Sequence, residues 1–133
     1  MKAISARRTL ALNLGAMLNV ADNSGAKIVR LVSVKHGKGV KGRQMAAGIA
    51  DHVKVSVRKG LPELRKQVLD AVVVRIKKEY RRRTGERIAF ADNAVAILKD
   101  DKGDPKGTQI KGPVAREVFE RWSVLAKIAQ FVS

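Results

Sequence analysis

Apolar and polar residues alternate along much of the chain, which is the pattern of strands with one face in a core and the other in solvent. The clearest case is DHVKVSVRKG (residues 51–60), where Val53, Val55 and Val57 alternate with Lys54 and Ser56. This segment is predicted to be a half-buried strand.

Two further strands flank a tight turn. AMLNV and AKIVRLVSVK surround residues 22–25, whose sequence DNSG tolerates turn backbone and ends in glycine. Three later segments also have strand character: AVVVRIKK (71–78), RIAFAD (87–92) and NAVAILK (93–99). Pro62 excludes residues 61–67 from a central strand, and DDKGDPKG (100–107) reads as a loop.

Only the last twenty residues have helical spacing. Pro113 suits a first helical position, and Val114, Val118 and Trp122 recur at helix periodicity. A second stripe comprises Leu125, Ile128 and Phe131 or Val132, with Ser123 as a candidate cap between two short helices.

Many short strands with glycine-rich turns and no helical crossovers indicate a mainly β protein, a small closed β-barrel with basic hairpin loops and one or two short C-terminal α-helices. We expect a single domain over residues 1–133. Residues 1–15 form an N-terminal extension and candidate added strand, residues 16–111 the barrel, and residues 112–133 the C-terminal helices.

Net charge is the strongest compositional signal. Lys and Arg number 28 against 12 Asp and Glu, which gives a net charge of +16 and a pI near 10.9. Such a field attracts polyanions, either nucleic acid or an anionic membrane. Residues 1–99 hold 22 basic and 7 acidic residues, whereas residues 100–133 hold 6 and 5. The two parts of the chain therefore suit different partners.

The composition leaves little room for catalysis or metal binding. With no cysteine and two histidines, disulfides, thiolate sites and multi-histidine metal sites are excluded. DDKGD lacks the spacing and closing glutamate of a calcium loop, and His52 has no nucleophile partner in the sequence pattern. No apolar run is long enough for a membrane span, and the first residues lack a signal-peptide pattern. We predict no enzyme, no cofactor and no metal.

Gly37, Gly39 and Gly42 have the G-x-G-x-x-G spacing of a dinucleotide-binding loop. That loop requires a long helix after it and an acidic residue about 20 positions on, and the sequence offers neither. The same stretch carries four cations, namely Lys35, Lys38, Lys41 and Arg43. A basic hairpin tip lying along an RNA backbone is the better interpretation.

Two more cationic clusters follow. RIKKEYRRRTGER holds Arg75, Lys77, Lys78, Arg81, Arg82, Arg83 and Arg87, and VRKGLPELRKQ adds Arg58, Lys59, Arg65 and Lys66. Arginine binds phosphate bidentately, so these clusters predict phosphate contacts, with a solvated charged loop as the alternative. Tyr80 is a candidate for base stacking or for packing on the barrel. Lys2, Arg7 and Arg8 form either an RNA-binding arm or a disordered tail.

Three segments carry a family resemblance. LNVADNSGAK (18–27), AVVVRIKKEYRRRTG (71–85) and GTQIKGPVARE (107–117) together resemble the universal large-subunit ribosomal protein L-fourteen family, in its archaeal and eukaryotic branch. Thr84, where the family usually has Asp, Asn or Ser, and Ala96, where it usually has valine, are local departures.

The resemblance implies a five-stranded barrel on the intersubunit face of the large ribosomal subunit in the cytoplasm. The implied partners are large-subunit rRNA, neighbouring large-subunit ribosomal proteins, small-subunit rRNA at a bridge, and a subunit anti-association factor. We expect rRNA contacts from the cationic residues at 35–43, 58–66 and 75–83 named above. Asn23 either joins them or serves the turn.

The nearly neutral C-terminal region is the candidate protein-contact surface. Val118, Phe119 and Trp122 either meet a partner there or cover one end of the barrel. The rival functions are a free regulatory RNA-binding protein and a nucleotide-dependent enzyme that uses the glycine loop. Membrane-surface binding would need a strongly basic amphipathic helix, which the C-terminal region lacks.

Overall fold

Short strands make up most of the regular structure. The computed structural model describes residues 3–7, 9–35, 37, 39 and 41–133. Numbered along the chain, its strands are β1 (Ala6–Arg7), β2 (Leu12–Asn13), β3 (Met17–Val20), β4 (Ala26–Val34), β5 (Ala46–Ala47), β6 (His52–Gly60), β7 (Val68–Arg75), β8 (Tyr80–Arg82), β9 (Arg87–Ile88), β10 (Ala94–Ile97), β11 (Ile110–Val114) and β12 (Ala129–Val132). The helical elements are α1 (Arg116–Arg121) and a 3₁₀-helix (Ser123–Lys127).

Five of these strands close into a barrel in the order β10-β3-β4-β6-β7. Neighbouring strands pair antiparallel except β10 and β3, whose parallel pairing closes the ring. The β3–β4 hairpin folds around residues 22–25, where the sequence predicts a turn. The mainly β fold with a small five-stranded closed barrel is therefore confirmed.

The barrel interior takes the apolar side of each alternating strand. Val53, Val55 and Val57 on β6 are buried, whereas Lys54 and Ser56 between them are only partly covered. Burying a valine side chain contributes about 1.5–3 kcal/mol, so this alternation fixes which face of β6 turns inward.

Strand β7 is buried on both faces over residues 71–75. Residues of the C-terminal segment belong to the same core cluster as this strand, and the Ala115 N–H donates to the Val74 carbonyl at 3.2 Å. This double burial explains why AVVV is a continuous apolar run rather than an alternating one.

The C-terminal region contains one α-helix, and a 3₁₀-helix and a strand take the place of the second predicted helix. Residues 123–127 form the 3₁₀-helix, and β12 pairs parallel with β11. Pro113 lies within β11 rather than at a helix start. The Arg75 guanidinium donates to the carbonyls of Lys111 (2.9 Å) and Pro113 (3.1 Å), so this segment is held extended and offers β12 a partner.

The turn at residues 22–25 is also hydrogen-bonded to the distant residues 108 and 109. The Asn23 side-chain oxygen accepts from the Thr108 N–H (2.8 Å) and the Gln109 N–H (3.3 Å), and its amide donates to Thr108 Oγ1 (2.8 Å). A Cβ at residue 107 would lie 2.9 Å from Asn23 Oδ1, so glycine is required for this approach. Asn23 therefore has a structural role.

Replacing Asn23 should destabilise the free protein. Asn23→Ala removes all three hydrogen bonds, and we expect a loss of about 1–3 kcal/mol in the free energy of unfolding. Urea denaturation measures this loss, with Thr84→Ala in an exposed turn as the control. An Asn23→Ala variant as stable as the control would contradict the structural role.

His52 is buried beside the C-terminal region. Its Nε2 lies 3.3 Å from Asp70 Oδ1, and its ring meets the Trp122 ring edge-on at a centroid distance of 5.3 Å. Burial lowers the pKa of His52 below its ordinary value of 6.5, although the Asp70 carboxylate opposes the change. Folding therefore favours the neutral imidazole.

This pKa gives stability a definite pH dependence. Below pH 6.5 the unfolded chain takes up a proton at His52 before the folded chain does, so stability present above pH 6.5 is lost as pH falls toward the folded pKa. We expect the loss between pH 7.5 and 5.5 to be smaller in His52→Gln than in the wild type, with a limiting slope of about 1.4 kcal/mol per pH unit. Equal losses in both proteins would contradict the assignment. An NMR titration, with His36→Gln to assign the signals, measures the folded pKa directly.

Candidate nucleic-acid interface

The end of β6 and the loop to β7, together called the β6–β7 connection, present four exposed cations: Arg58 and Lys59 on the strand, and Arg65 and Lys66 in the loop. The chain turns back sharply here, and the Lys66 N–H donates to the Val57 carbonyl at 3.1 Å. Ser56, Val57, Arg58, Arg65 and Lys66 line a cleft of about 520 Å³. Within the described parts of the chain these cations make no ion pair, so their charge is available to an anion.

The segment from β7 to β9 divides its cations between surface and interior. Lys77, Lys78, Arg81 and Arg83 are exposed. Of these, Arg81 lies in the middle of β8, and its neighbours on that strand, Tyr80 and Arg82, are buried. Strand alternation therefore sorts consecutive residues of one basic run into two environments.

Arg82 has partners within the protein. Its Nε donates to Glu117 Oε1 at 2.7 Å, and its guanidinium also bonds the Ser133 carbonyl. Tyr80 donates from its hydroxyl to Glu117 Oε2 at 2.7 Å. Burial, with this hydrogen bond, raises the pKa of Tyr80. Tyr80 therefore packs on the barrel and is not placed to stack on a base.

Arg75 is likewise buried. Besides the two carbonyls of β11, its Nε lies 3.0 Å from Asp92 Oδ1. The sequence placed Arg75 and Arg82 among the rRNA-binding residues, but both guanidiniums are taken up by internal carboxylates and carbonyls. Neither phosphate contact nor the alternative of a solvated loop describes these two buried arginines, which have a structural role, and we leave both out of the proposed RNA-binding surface.

The glycine-rich loop has no helix after it. Residues 46–47 instead form β5, which pairs with β2, so the arrangement that holds a pyrophosphate is not built.

Lys35 lies 3.5 Å from Asp101, and the Lys35 charge lowers the pKa of that carboxyl. Lys41 and Arg43 are exposed, and the predicted contact Lys38 lies outside the described residues.

The described residues offer neither a metal site nor a membrane span. They contain no group of three or more histidine, cysteine or acidic side chains that could hold a metal ion. No helix among them is long and apolar enough to cross a membrane. What this surface offers is an array of guanidinium and ammonium groups on short connections of a rigid barrel, which suits binding of phosphates.

Comparison with known proteins agrees with this chemistry. Residues 11–133 match the family described as ribosomal protein L14p/L23e. The chain belongs to this family. The large ribosomal subunit protein uL14 of Nanoarchaeum equitans is 63% identical over 132 residues, and those of Methanothrix thermoacetophila and Halorubrum lacusprofundi are 52% and 49% identical. Each match covers 99% of both chains.

Family membership makes the chain a structural ribosomal protein and confirms that it is not an enzyme. The resemblance read from the three sequence segments is also confirmed, including its archaeal character, because these relatives are archaeal.

The candidate protein-contact residues are unequally placed. Val118 is fully buried and serves the core, so we leave it out of any contact surface. Phe119 and Trp122 are half-buried against the core. The Trp122 indole N–H donates to the Ala50 carbonyl at 2.9 Å, which fixes the orientation of the ring.

The sequence left Arg7 between an RNA-binding arm and a disordered tail, and the structure places it on an ordered strand. Arg7 lies on β1, which pairs antiparallel with β8, and its side chain is exposed. The position of Arg7 depends on a pairing between segments that are distant in sequence, and no local pattern encodes that register.

The Arg82–Glu117 pair generates a stability prediction. Glu117→Gln keeps the shape of the side chain but leaves a buried guanidinium without its counter-charge, so we expect a loss of about 3–5 kcal/mol in the free energy of unfolding. Glu63→Gln, the same chemical change at an exposed position between β6 and β7, should cost less than about 0.5 kcal/mol. Urea denaturation of the two variants decides the matter, and similar small losses would show that the buried pair is not required.

Proposed function

We propose that the chain is a structural constituent of the large ribosomal subunit in the cytoplasm and binds large-subunit rRNA through cations on three connections of the barrel. The proposed contacts are Lys35, Lys38, Lys41, Arg43, Arg58, Lys59, Arg65, Lys66, Lys77, Lys78, Arg81 and Arg83. Asn23 remains a proposed contact, although its side chain first serves the hydrogen bonds of the turn at residues 22–25.

One observation carries this proposal. The cations of the β6–β7 connection and the exposed cations at 77–83 have no ion-pair partner within the described residues, whereas Glu117, Asp51 and Asp92 are engaged by arginines in the interior or at its edge. The chain thus uses its acidic groups to hold the fold and leaves positive charge outward, which is costly unless a polyanion is bound.

The barrel gives these cations fixed relative positions. Each cluster lies on a strand or beside the end of one, and the pairing of these strands limits how far the clusters can move relative to one another. Contacts with phosphate fix orientation and carry little sequence information. The protein therefore acts by holding crowded RNA segments in place, and it needs no catalytic group.

The family resemblance extends the proposal to the neighbours. It implies a location on the intersubunit face, contacts with adjacent large-subunit proteins, a bridge to small-subunit rRNA, and docking of a subunit anti-association factor near the C-terminal region. Phe119 and Trp122 are the proposed protein contacts there, because they keep exposed area beside the nearly neutral end of the chain.

Sedimentation tests whether the protein is integral to the ribosome. After a high-salt wash that removes loosely bound basic proteins, a tagged copy should co-migrate with the large subunit in a sucrose gradient. Recovery at the top of the gradient with intact subunits would favour the free RNA-binding protein instead.

Salt-dependent binding tests the cationic connections. Arg58→Gln and Lys66→Gln should each reduce the slope of log K against log salt for protein-free large-subunit rRNA by about 0.7–0.9, without changing the unfolding transition. Lys127→Gln removes an equal exposed charge near the C-terminus and should leave the slope unchanged. Equal effects of all three changes would point to net charge alone.

A further inference from the structure

Three exposed arginines line up across the small sheet β1-β8-β9. Arg7 lies opposite Arg81, and Arg81 lies opposite Arg87. Residues directly opposite on antiparallel strands project from the same face of a sheet. Because Tyr80 and Arg82 on the other face are buried, Arg7, Arg81 and Arg87 face outward together.

This row is unfavourable in the isolated protein. Neighbouring strands lie about 4.8 Å apart, and like charges directly opposite one another destabilise a sheet. Among the described residues, the carboxylate that pairs with the row is Glu79, whose Oε1 lies 3.2 Å from Arg87 Nη1. Both side chains of this pair are at least half exposed, so it contributes little. Arg7 and Arg81 have no ion pair within the described residues.

The fold nevertheless holds Arg7 in this position. The Ser5 N–H donates to Glu120 Oε2 at 2.7 Å, and Thr9 Oγ1 donates to the Glu79 carbonyl at 2.9 Å. Residues 3–7 and residues 81–83 line a cleft of about 510 Å³ beside the row. The N-terminal segment is therefore attached on both sides of Arg7, despite the repulsion that results.

We propose that the row Arg7–Arg81–Arg87 binds the sugar-phosphate backbone of one RNA strand, which crosses the sheet perpendicular to β1, β8 and β9. The inference rests on the proposed function, since it takes the polyanion to be rRNA. Each guanidinium donates two hydrogen bonds to one phosphate, and Arg83 at the neighbouring cleft extends the contact. The bound phosphates also offset the repulsion within the row, so RNA binding and stability of the sheet are coupled.

Replacing the row together tests the binding. The triple variant Arg7→Gln, Arg81→Gln and Arg87→Gln should lower the slope of log K against log salt by about 2–3 on protein-free large-subunit rRNA. The matched control removes three exposed cations elsewhere, through Lys102→Gln, Arg116→Gln and Lys127→Gln, and should leave the slope unchanged. An unchanged slope in the row variant, or an equal loss in the control, overturns the row while leaving the proposed function standing. Wild-type protein that binds this rRNA without salt dependence overturns the proposed function as well.

Thermal unfolding without RNA gives an independent readout. At low ionic strength, Arg81→Gln should raise Tm by about 1–4 °C because the central charge of the row is removed. Sodium polyphosphate should raise the Tm of the wild type more than that of Arg81→Gln. A lower Tm for Arg81→Gln, with equal effects of polyphosphate on both proteins, would show that the row is not strained and would contradict the proposal.

Discussion

Closure of the barrel depends on the parallel pairing of β10 with β3, and the residues around this seam hold it. The Asp22 carboxylate, buried at the end of the seam, accepts from the Ile97 N–H at 2.8 Å, and the Asn19 N–H donates to the Asn93 carbonyl at 3.0 Å. Burial raises the pKa of Asp22, which shows that this carboxylate is placed there against its preference for water. The antiparallel strands could form an open sheet without the seam, and only its closure brings the basic connections into fixed relation.

Charge is divided between two tasks. Arg75, Arg82 and Arg121 are directed inward. Arg75 pairs with Asp92 and donates to two carbonyls of β11, Arg82 on β8 pairs with Glu117 on α1, and Arg121 on α1 pairs with Asp51 just before β6. The remaining cations crowd the connections and the outer face of the small sheet. A free protein with this distribution repels itself, and under the proposed function rRNA supplies the missing negative charge. Its stability and its binding are therefore two aspects of one electrostatic balance.

The sequence predicted the barrel well because alternation and turn residues are local signals. Val53, Val55 and Val57 could face only one core, and the DNSG turn could join only its two flanking strands. The C-terminal segment was harder to predict, since apolar residues from Leu125 to Val132 satisfy helical spacing and strand pairing alike. Its partner, β11, decides the outcome, and that pairing is long-range.

The sequence predicted which cations the candidate interface contains, but it did not predict which of them are exposed. RIKKEYRRR reads as one solvated run, yet Arg82 turns inward because Glu117 lies beneath it, 35 residues further along the chain. Conversely, Arg7 gains its significance from a register with β8 that no local pattern contains. Burial and register, rather than residue type, separate the arginines that stabilise the fold from those that are exposed and proposed to bind RNA.

Gly103 links two regions that are otherwise described separately. It has φ +102°, and a Cβ there would lie 2.9 Å from the Trp122 ring, so the loop at residues 100–107 packs directly against this ring. The same loop carries Asp101, the partner of Lys35 at the base of the glycine-rich connection. A side chain introduced at residue 103 would therefore displace the Trp122 ring and also move the loop that carries Asp101. Such a change would disturb the proposed RNA contact at Lys35 and the proposed protein contact at Trp122 together, from a residue that is itself in neither proposed surface.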